Sequence, residues 1–379
     1  MPPVVEGSDE SVYPHHQHEH DEYSKRDRRS SFADVVRRNK LLFGGSFLVL
    51  VIILGVSIGV ASKGKTETSS SPAVTSGGQS TSTTDSSTIT DPLERKKADL
   101  KGRIKSTFLV LGVPESHSTM LDSPESPQGR ALQWVAESAQ YDSYDDDQRL
   151  QRYSLASFFY ATYAVRNAYV TQQVPWTTAE KWLSEEHECE WEGVKCNTAD
   201  EAGEGNRVVI GIELEEHRIT GSIPLDLVLL RESLTTLILT NNLIFMEGDA
   251  LKLFSYLANL EVLMMSDNYL VERNGLPDSL RQLANLKKLI LSYNLLQGYI
   301  RPNYFEGLVK LSHLELESNY LSGDLPSSLY DMEQLVYLYV RRNDLAFNFA
   351  TAVQTANWPN MCKFAPIDFN SIDSGTLAF

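Results

Sequence analysis

The sequence predicts an α/β solenoid with a helical N-terminal cap, preceded by a single transmembrane helix. Three observations lead there. Six consecutive segments follow L-x-x-L-x-L-x-x-N-x-L, beginning at Val209, Leu234, Leu260, Leu286, Leu311 and Leu335, 24 to 26 residues apart. Ahead of them, residues 92–206 read as helices followed by a loop that holds two cysteines. Leu41 to Ala61 is an uncharged stretch of 21 residues, long enough at about 1.5 Å per residue to cross a hydrocarbon core of about 30 Å.

The repeats occupy residues 207–349. Side chains alternate across a strand, so Leu237 and Leu239, Leu263 and Met265, Leu289 and Leu291, and Leu314 and Leu316 point inward. A coil of this length cannot bury its apolar face alone, and each one depends on its neighbours in a parallel stack. Asn242, Asn268, Asn294, Asn319 and Asn343 recur where the chain leaves the strand. A buried amide there bonds backbone groups of its own and the adjacent coil. The first coil has His217 at that place, an irregularity of a terminal repeat and not a ligand.

Parity also gives the solvent face. Its positions are Gly211, Glu213 and Glu215, then Thr236, Ile238 and Thr240, and Val262, Met264 and Ser266. Lys288, Ile290 and Ser292 follow, then His313, Glu315 and Glu317, and last Tyr337, Tyr339 and Arg341. Ile238, Met264 and Ile290 form an apolar row with no core to enter, which marks a recognition patch. Tyr293, Tyr337, Tyr339 and Arg341 add the aromatic and guanidinium chemistry that interface hot spots favour. These seven residues are the candidate ligand-binding set.

Past the asparagines, Gly221-Ser222-Ile223-Pro224 and Gly323-Asp324-Leu325-Pro326, and more loosely Gly298-Tyr299-Ile300 with Pro302, give the coils a common continuation. The pattern resembles plant-type leucine-rich repeats. The second and third coils depart from it with Gly248 to Phe254 and Pro277 to Leu283, which read as short helices on the convex side. Cys189-Glu190-Trp191-Glu192-Gly193-Val194-Lys195-Cys196, with Trp182 and Leu183 upstream, is similar to the N-terminal cap of such ectodomains. That resemblance implies a Cys189–Cys196 disulfide, which suits an oxidising compartment. Pro127-Gln128, Ala131-Leu132 with Trp134, and Arg149 to Tyr153 with Leu155-Ala156 and Tyr160 resemble the helical region before the cap in diatom-type leucine-rich-repeat receptor-like proteins without a kinase domain.

Within the cap region, Pro92 to Val113, Gln128 to Ala139 and Arg149 to Val170 are expected to be helical, the last apolar around most of its circumference and therefore buried. It belongs against the open N-terminal edge of the solenoid. Pro175 closes the segment. Asp145-Asp146-Asp147 lacks the ligand-and-glycine spacing of a calcium loop and reads as a charged helix start.

Residues 1–40 read as a disordered cytoplasmic tail. Lys25, Arg26, Arg28, Arg29, Arg37, Arg38 and Lys40 precede the apolar stretch and only Lys63 and Lys65 closely follow it. That asymmetry places the N-terminus in the cytoplasm, residues 41–61 as an uncleaved signal anchor in a lipid bilayer, and the repeats outside. A signal peptide cleaved near Gly59 or Ala61 is the alternative. Residues 62–91, rich in Ser, Thr, Gly and Pro, form a stalk that cannot offset the entropy of ordering. Residues 350–379 are a C-terminal cap or tail, where Cys362 is either buried, a cross-link between chains, or a residue without its mate.

The formal charge is −16, and in the tail eight acidic residues nearly balance seven basic ones. The excess therefore lies in the ectodomain, which argues against nucleic acid and against tight binding to anionic polysaccharide or lipid, and would attract cationic partners or divalent ions only weakly. No phosphate-cradling loop, nucleophile elbow or zinc-protease helix motif is present, so the reading is non-enzymatic, with no cofactor and no metal. His15, His16, His18 and His20 read as a solvated tract, and Arg28-Arg29 before Ser30-Ser31 as an orientation signal that also fits basophilic phosphorylation. A tail of about 40 residues is too short for a kinase domain.

The expectation is a single-pass type II protein of the plasma membrane with extracellular repeats. Its ectodomain binds a protein, peptide or cell-surface ligand on the concave face, and signalling runs through a partner such as a membrane co-receptor. A structural or adhesive matrix protein and a secreted hydrolase inhibitor are the alternatives.

Overall fold

The computed structural model describes residues 91–198 and 207–346. The tail at 1–40, the apolar segment at 41–61, the stalk as far as residue 90, and residues 347–379 with Cys362 lie outside the described residues. No described helix is long and apolar enough to cross a membrane.

Three long helices, with a single helical turn at Glu115–Ser118 after the first, open the described chain. Helix α1 (Pro92–Leu111) starts at Asp91, whose side chain accepts from the Leu93 amide, and stops at Gly112 with φ +67°. Helix α2 (Pro127–Glu137) is capped by Ser126, which accepts from the Gly129 amide. Asp145 accepts from the Gln148 amide to begin α3 (Asp146–Thr162), so the aspartate run is a helix start as expected.

Helix α3 is buried from Gln151 to Phe158 but ends at Thr162, well short of the expected Val170. The reason is tertiary. The Thr162 carbonyl accepts from the Trp176 indole at 3.1 Å and from the Thr220 amide and hydroxyl, partners that replace helical continuation. Ala164 then turns the chain at φ 54°. A side chain on Gly221 would press into the Ala161 carbonyl at 2.3 Å, so the first coil closes on this helix end only through a glycine.

One sheet contains β1 (Val194–Cys196), β2 (Val209–Glu213), β3 (Thr236–Ile238), β5 (Val262–Met264), β7 (Lys288–Ile290), β9 (His313–Glu315) and β11 (Tyr337–Tyr339), in that order. All its pairs are parallel except β1 with β2. The open edge of β2 is thus sealed by the cap strand. Helix α3 instead covers the end of the apolar core, where Leu155 and Phe158 meet Trp176, Trp182, Trp191 and Ile212.

A second sheet, not anticipated from the sequence, runs parallel along the flank as β4 (Phe245–Glu247), β6 (Tyr269–Glu272), β8 (Leu295–Tyr299), β10 (Tyr320–Asp324) and β12 (Asp344–Ala346). Opposite the first sheet lie 3-10 turns at Leu225–Leu230, Gly248–Tyr256, Asp278–Gln282 and Ser327–Leu329, including both short convex-side elements expected in the second and third coils.

The asparagine ladder forms as expected. Asn294 is typical: Nδ2 donates to Met265, Leu291 and Ser292 carbonyls while Oδ1 accepts from the Leu270 amide at 3.0 Å. At the first coil His217 offers its backbone amide to Asn242 Oδ1, and its ring turns toward Glu192 of the cap.

Cys189 and Cys196 are joined by a disulfide. Trp182 lies beside the loop, 5.3 Å from Trp191 between ring centroids, with its indole donating to the Glu192 carbonyl. The upstream motif residues knit α3 to this disulfide loop, and one of them reaches the first coil. Gln151 accepts from the Val209 amide at 2.7 Å and also pairs with Glu188. Arg152, fully buried, donates to Glu188 and to the Ser184 and Glu186 carbonyls.

Candidate functional site

The first sheet lines the inner face of the stack, and its register aligns the exposed positions into rows. Glu213, Ile238, Met264, Ile290, Glu315 and Tyr339 are successive partners across β2, β3, β5, β7, β9 and β11. Three apolar side chains therefore stand side by side between two carboxylates and a tyrosine. Parallel strands are spaced about 4.8 Å apart, so neighbouring side chains cover one another and Ile238, Met264 and Ile290 are half-buried.

A second row runs Gly211, Thr236, Val262, Lys288, His313, Tyr337. His313 and Tyr337 stack with ring centroids 4.3 Å apart. Gly211, expected at the solvent face, is buried because it pairs with Lys195 of β1, whose side chain lies over it. Ser266, Ser292 and Glu317 are also buried, against expectation. They sit just past the strands, where each coil turns and is covered by the next. The Thr240, Ser266 and Ser292 hydroxyls in this third row have no hydrogen-bond partner among the described residues.

The expected Tyr293 is not on the strand. It occupies the turn after Ser292 at φ 57°, the place taken by Glu216, Asn241, Asp267, Ser318 and Arg342 in the other coils. Its hydroxyl donates to Glu317 at 2.9 Å and accepts from Arg342 at 3.2 Å. Arg341 pairs with the same carboxylate at 2.7 Å. Thus Ile238, Met264, Ile290 and Tyr339 share one row, Tyr337 stands in the next, and Tyr293 and Arg341 converge on Glu317 at the end of the face.

Glu315 sits between the apolar row and this cluster. Burial, then the neighbouring Glu317, pushes its carboxyl above the usual range, and Lys288 opposes the shift. Burial, with Lys288 adding to it, lowers the His313 imidazole. At the other end, burial followed by Glu216 and Glu213 raises Glu215. The inner face is an apolar strip bounded by acidic groups. Its acidic flank was visible as separate glutamates in the sequence, but their convergence with Lys288 and Tyr293 requires the register and the turn. Among the described residues no group of three or more His, Cys, Asp or Glu is placed to hold a metal.

Residues 284–345 match the leucine rich repeat family. The leucine-rich-repeat solenoid expected from the spacing is therefore the fold of this region. The chain is 32% identical over 120 residues to receptor-like protein 39 of Arabidopsis thaliana, a match spanning 31% of this chain and 13% of that protein. It is 26% identical over 164 residues to pollen receptor-like kinase 2 of the same plant, 43% of this chain and 20% of that protein. Among solved structures, the leucine-rich-repeat ectodomain of the receptor kinase SOBIR1 from Arabidopsis thaliana is 25% identical, with 44% of this chain and 88% of that one covered and a TM-score of 0.37. The chain thus spans a fifth or less of the length of the two curated relatives.

Proposed function

We propose that this protein is a membrane-anchored, receptor-like leucine-rich-repeat protein whose inner face binds a protein or peptide ligand. The observation that carries the reading is the registered row Ile238, Met264, Ile290, with Glu315 and Tyr339 continuing it. An extended peptide crossing the strands finds an apolar strip at its centre and a carboxylate, at Glu315, that has no ion-pair partner among the described residues. The ligand expected from this face is a segment with apolar residues followed by a basic one. Its glutamates disfavour an acidic ligand.

The names of the similar plant proteins, receptor-like, agree with a binding role. The anchor at residues 41–61, the extracellular placement of the repeats and signalling through a membrane co-receptor belong to the same proposal and rest on the sequence. No catalytic group is assigned to the inner face.

The test is affinity capture from the source cells with the full-length chain, wild type against Met264→Asp and Ile290→Asp. Loss of the captured partner in variants with unchanged thermal unfolding supports the site; retention of the same partner places binding elsewhere. Protease protection of intact cells reports topology, and repeats shielded by the membrane would overturn the extracellular placement.

A further inference from the structure

A second cleft lies in the cap, away from the inner face. It has a volume of about 720 Å³ and is lined by Arg130, Tyr160, Tyr163, Val165, Arg166 and Gln173. We propose that it binds an acidic saccharide unit, a sugar ring bearing a carboxylate or a sulfate ester.

The charge of the cleft runs against that of the chain. On a protein of net charge −16, Arg130 and Arg166 are exposed at one opening, and neither has a carboxylate or hydrogen-bonded side-chain partner among the described residues. The Arg130 guanidinium lies over the Tyr160 ring, 4.1 Å from its centroid. A cation–π contact of that kind restrains the guanidinium while leaving N–H groups available to pair with a carboxylate or sulfate.

The wall is held in place. Ala164 adopts φ 54°, a conformation that disfavours a residue with a side chain, and the segment after it is tied to the first two coils. The Val165 amide donates to Thr220 at 3.1 Å, and Asn167 Nδ2 donates to the Leu243 carbonyl at 2.8 Å. The Tyr163 ring stacks on Phe159 at 4.7 Å, so its orientation is set while 39% of the residue remains exposed. Arg166 is therefore carried on an anchored turn.

The remaining lining selects the carrier of the anion. Tyrosine rings offer flat apolar surface for the C–H face of a pyranose, and the Tyr160 and Tyr163 hydroxyls with the Gln173 amide match its hydroxyl groups as donors and acceptors. The volume falls within the range of about 300–1,000 Å³ typical of small-ligand sites. An open mouth accommodates one ring of a longer chain.

The experiment is isothermal titration calorimetry on the detergent-solubilised full-length protein with trigalacturonate, glucose 6-sulfate, neutral maltotriose and O-phosphoserine. Saturable binding of either acidic sugar, none of maltotriose, and a loss of roughly tenfold or more in Arg130→Gln and Arg166→Gln are expected, since each variant removes a charge-assisted pair. Arg166→Gln alters an exposed side chain, so its melting temperature should match wild type even if Arg130→Gln unfolds. The proposal is overturned if neither acidic sugar binds, if maltotriose binds as tightly, if Arg166→Gln leaves affinity unchanged, or if phosphoserine binds as well as the sugars. Because these residues lie outside the inner face, Met264→Asp should bind the acidic sugar normally, which separates failure here from failure of the peptide site.

Discussion

Tyr153 in α3 donates its phenolic proton to Asp226 of the first coil at 2.6 Å, joining residues 73 positions apart. Asp226 is fully buried and also takes His117 Nε2 at 3.0 Å and Gln128 Nε2 at 2.8 Å, so three separate parts of the cap converge on one carboxylate of the repeats. Burial alone would raise this carboxyl; the hydrogen bond and charge of His117, with Tyr153 and Gln128, outweigh it and hold the group below the ordinary value of 3.8.

Asp226→Asn should therefore destabilise the protein by about 1–3 kcal/mol, the cost of weakening a buried hydrogen-bonded charge. A depressed folded pKa contributes stability that is present above the unfolded value and lost as pH falls through the folded one. Wild type should consequently lose more stability than Asp226→Asn on acidification below about pH 4. Denaturant unfolding at pH 7 and pH 3 measures both, and equal acid sensitivity of the two proteins would refute the assignment.

The Arg152–Glu188 pair is a second buried charge, joining α3 to the disulfide loop within the cap. Both side chains are wholly buried, and the guanidinium lies about equally over Trp134, Tyr144 and Trp191, at 5.0, 4.8 and 5.1 Å. Arg152→Leu strands the Glu188 carboxylate, for which a loss of about 3–5 kcal/mol is expected. Arg152→Leu/Glu188→Leu should recover part of that loss. A double-mutant cycle by equilibrium unfolding decides it, and additive single losses would show that the two groups do not act as a pair.

Within the ladder, position along the stack sets the cost of losing an amide. Asn294 is buried, with coils on both sides, while Asn343 in the last described coil is half-buried. Asn294→Ala should cost about 1–3 kcal/mol for the backbone groups left unpaired, and Asn343→Ala less, because water reaches its partners. Thermal unfolding of the two variants gives the comparison; an equal loss would refute the dependence on position in the stack.

The repeats were legible because their code is local. Leu237, Leu239 and their equivalents repeat at fixed spacing, and the asparagines fall at one offset, so inward and outward faces follow from parity alone. The cap motifs were legible as a resemblance, but their purpose was not. Gln128, Arg152 and Tyr153 act on Asp226 and Glu188, which are distant in sequence and unremarkable among many acidic residues. The end of α3 was misplaced because Tyr163 and Val165 continue an apolar pattern, while Trp176 and Thr220 arrive from elsewhere to take the Thr162 carbonyl. The exposed face was overcounted for a similar reason: alternation cannot show that β1 covers Gly211 or that adjacent coils cover Ser266 and Ser292.

Glu315 offers a test of the inner face that needs no ligand. Its carboxyl is raised by burial and by Glu317, with Lys288 opposing, so its ionised form is disfavoured in the folded protein. A raised folded pKa contributes stability that is fully present below the unfolded value, near 4.5, and lost as pH rises through the folded one. Glu315→Gln, which cannot ionise, should melt higher than wild type at pH 7, and the gap should close by pH 3. Lys288→Gln removes the opposing charge and should lower the pH 7 melting temperature in the Glu315 background but not in Glu315→Gln. A lower melting temperature for Glu315→Gln at pH 7, or a gap that does not change with pH, would mean that Glu315 is already satisfied by a partner and is not held in reserve for a basic ligand group.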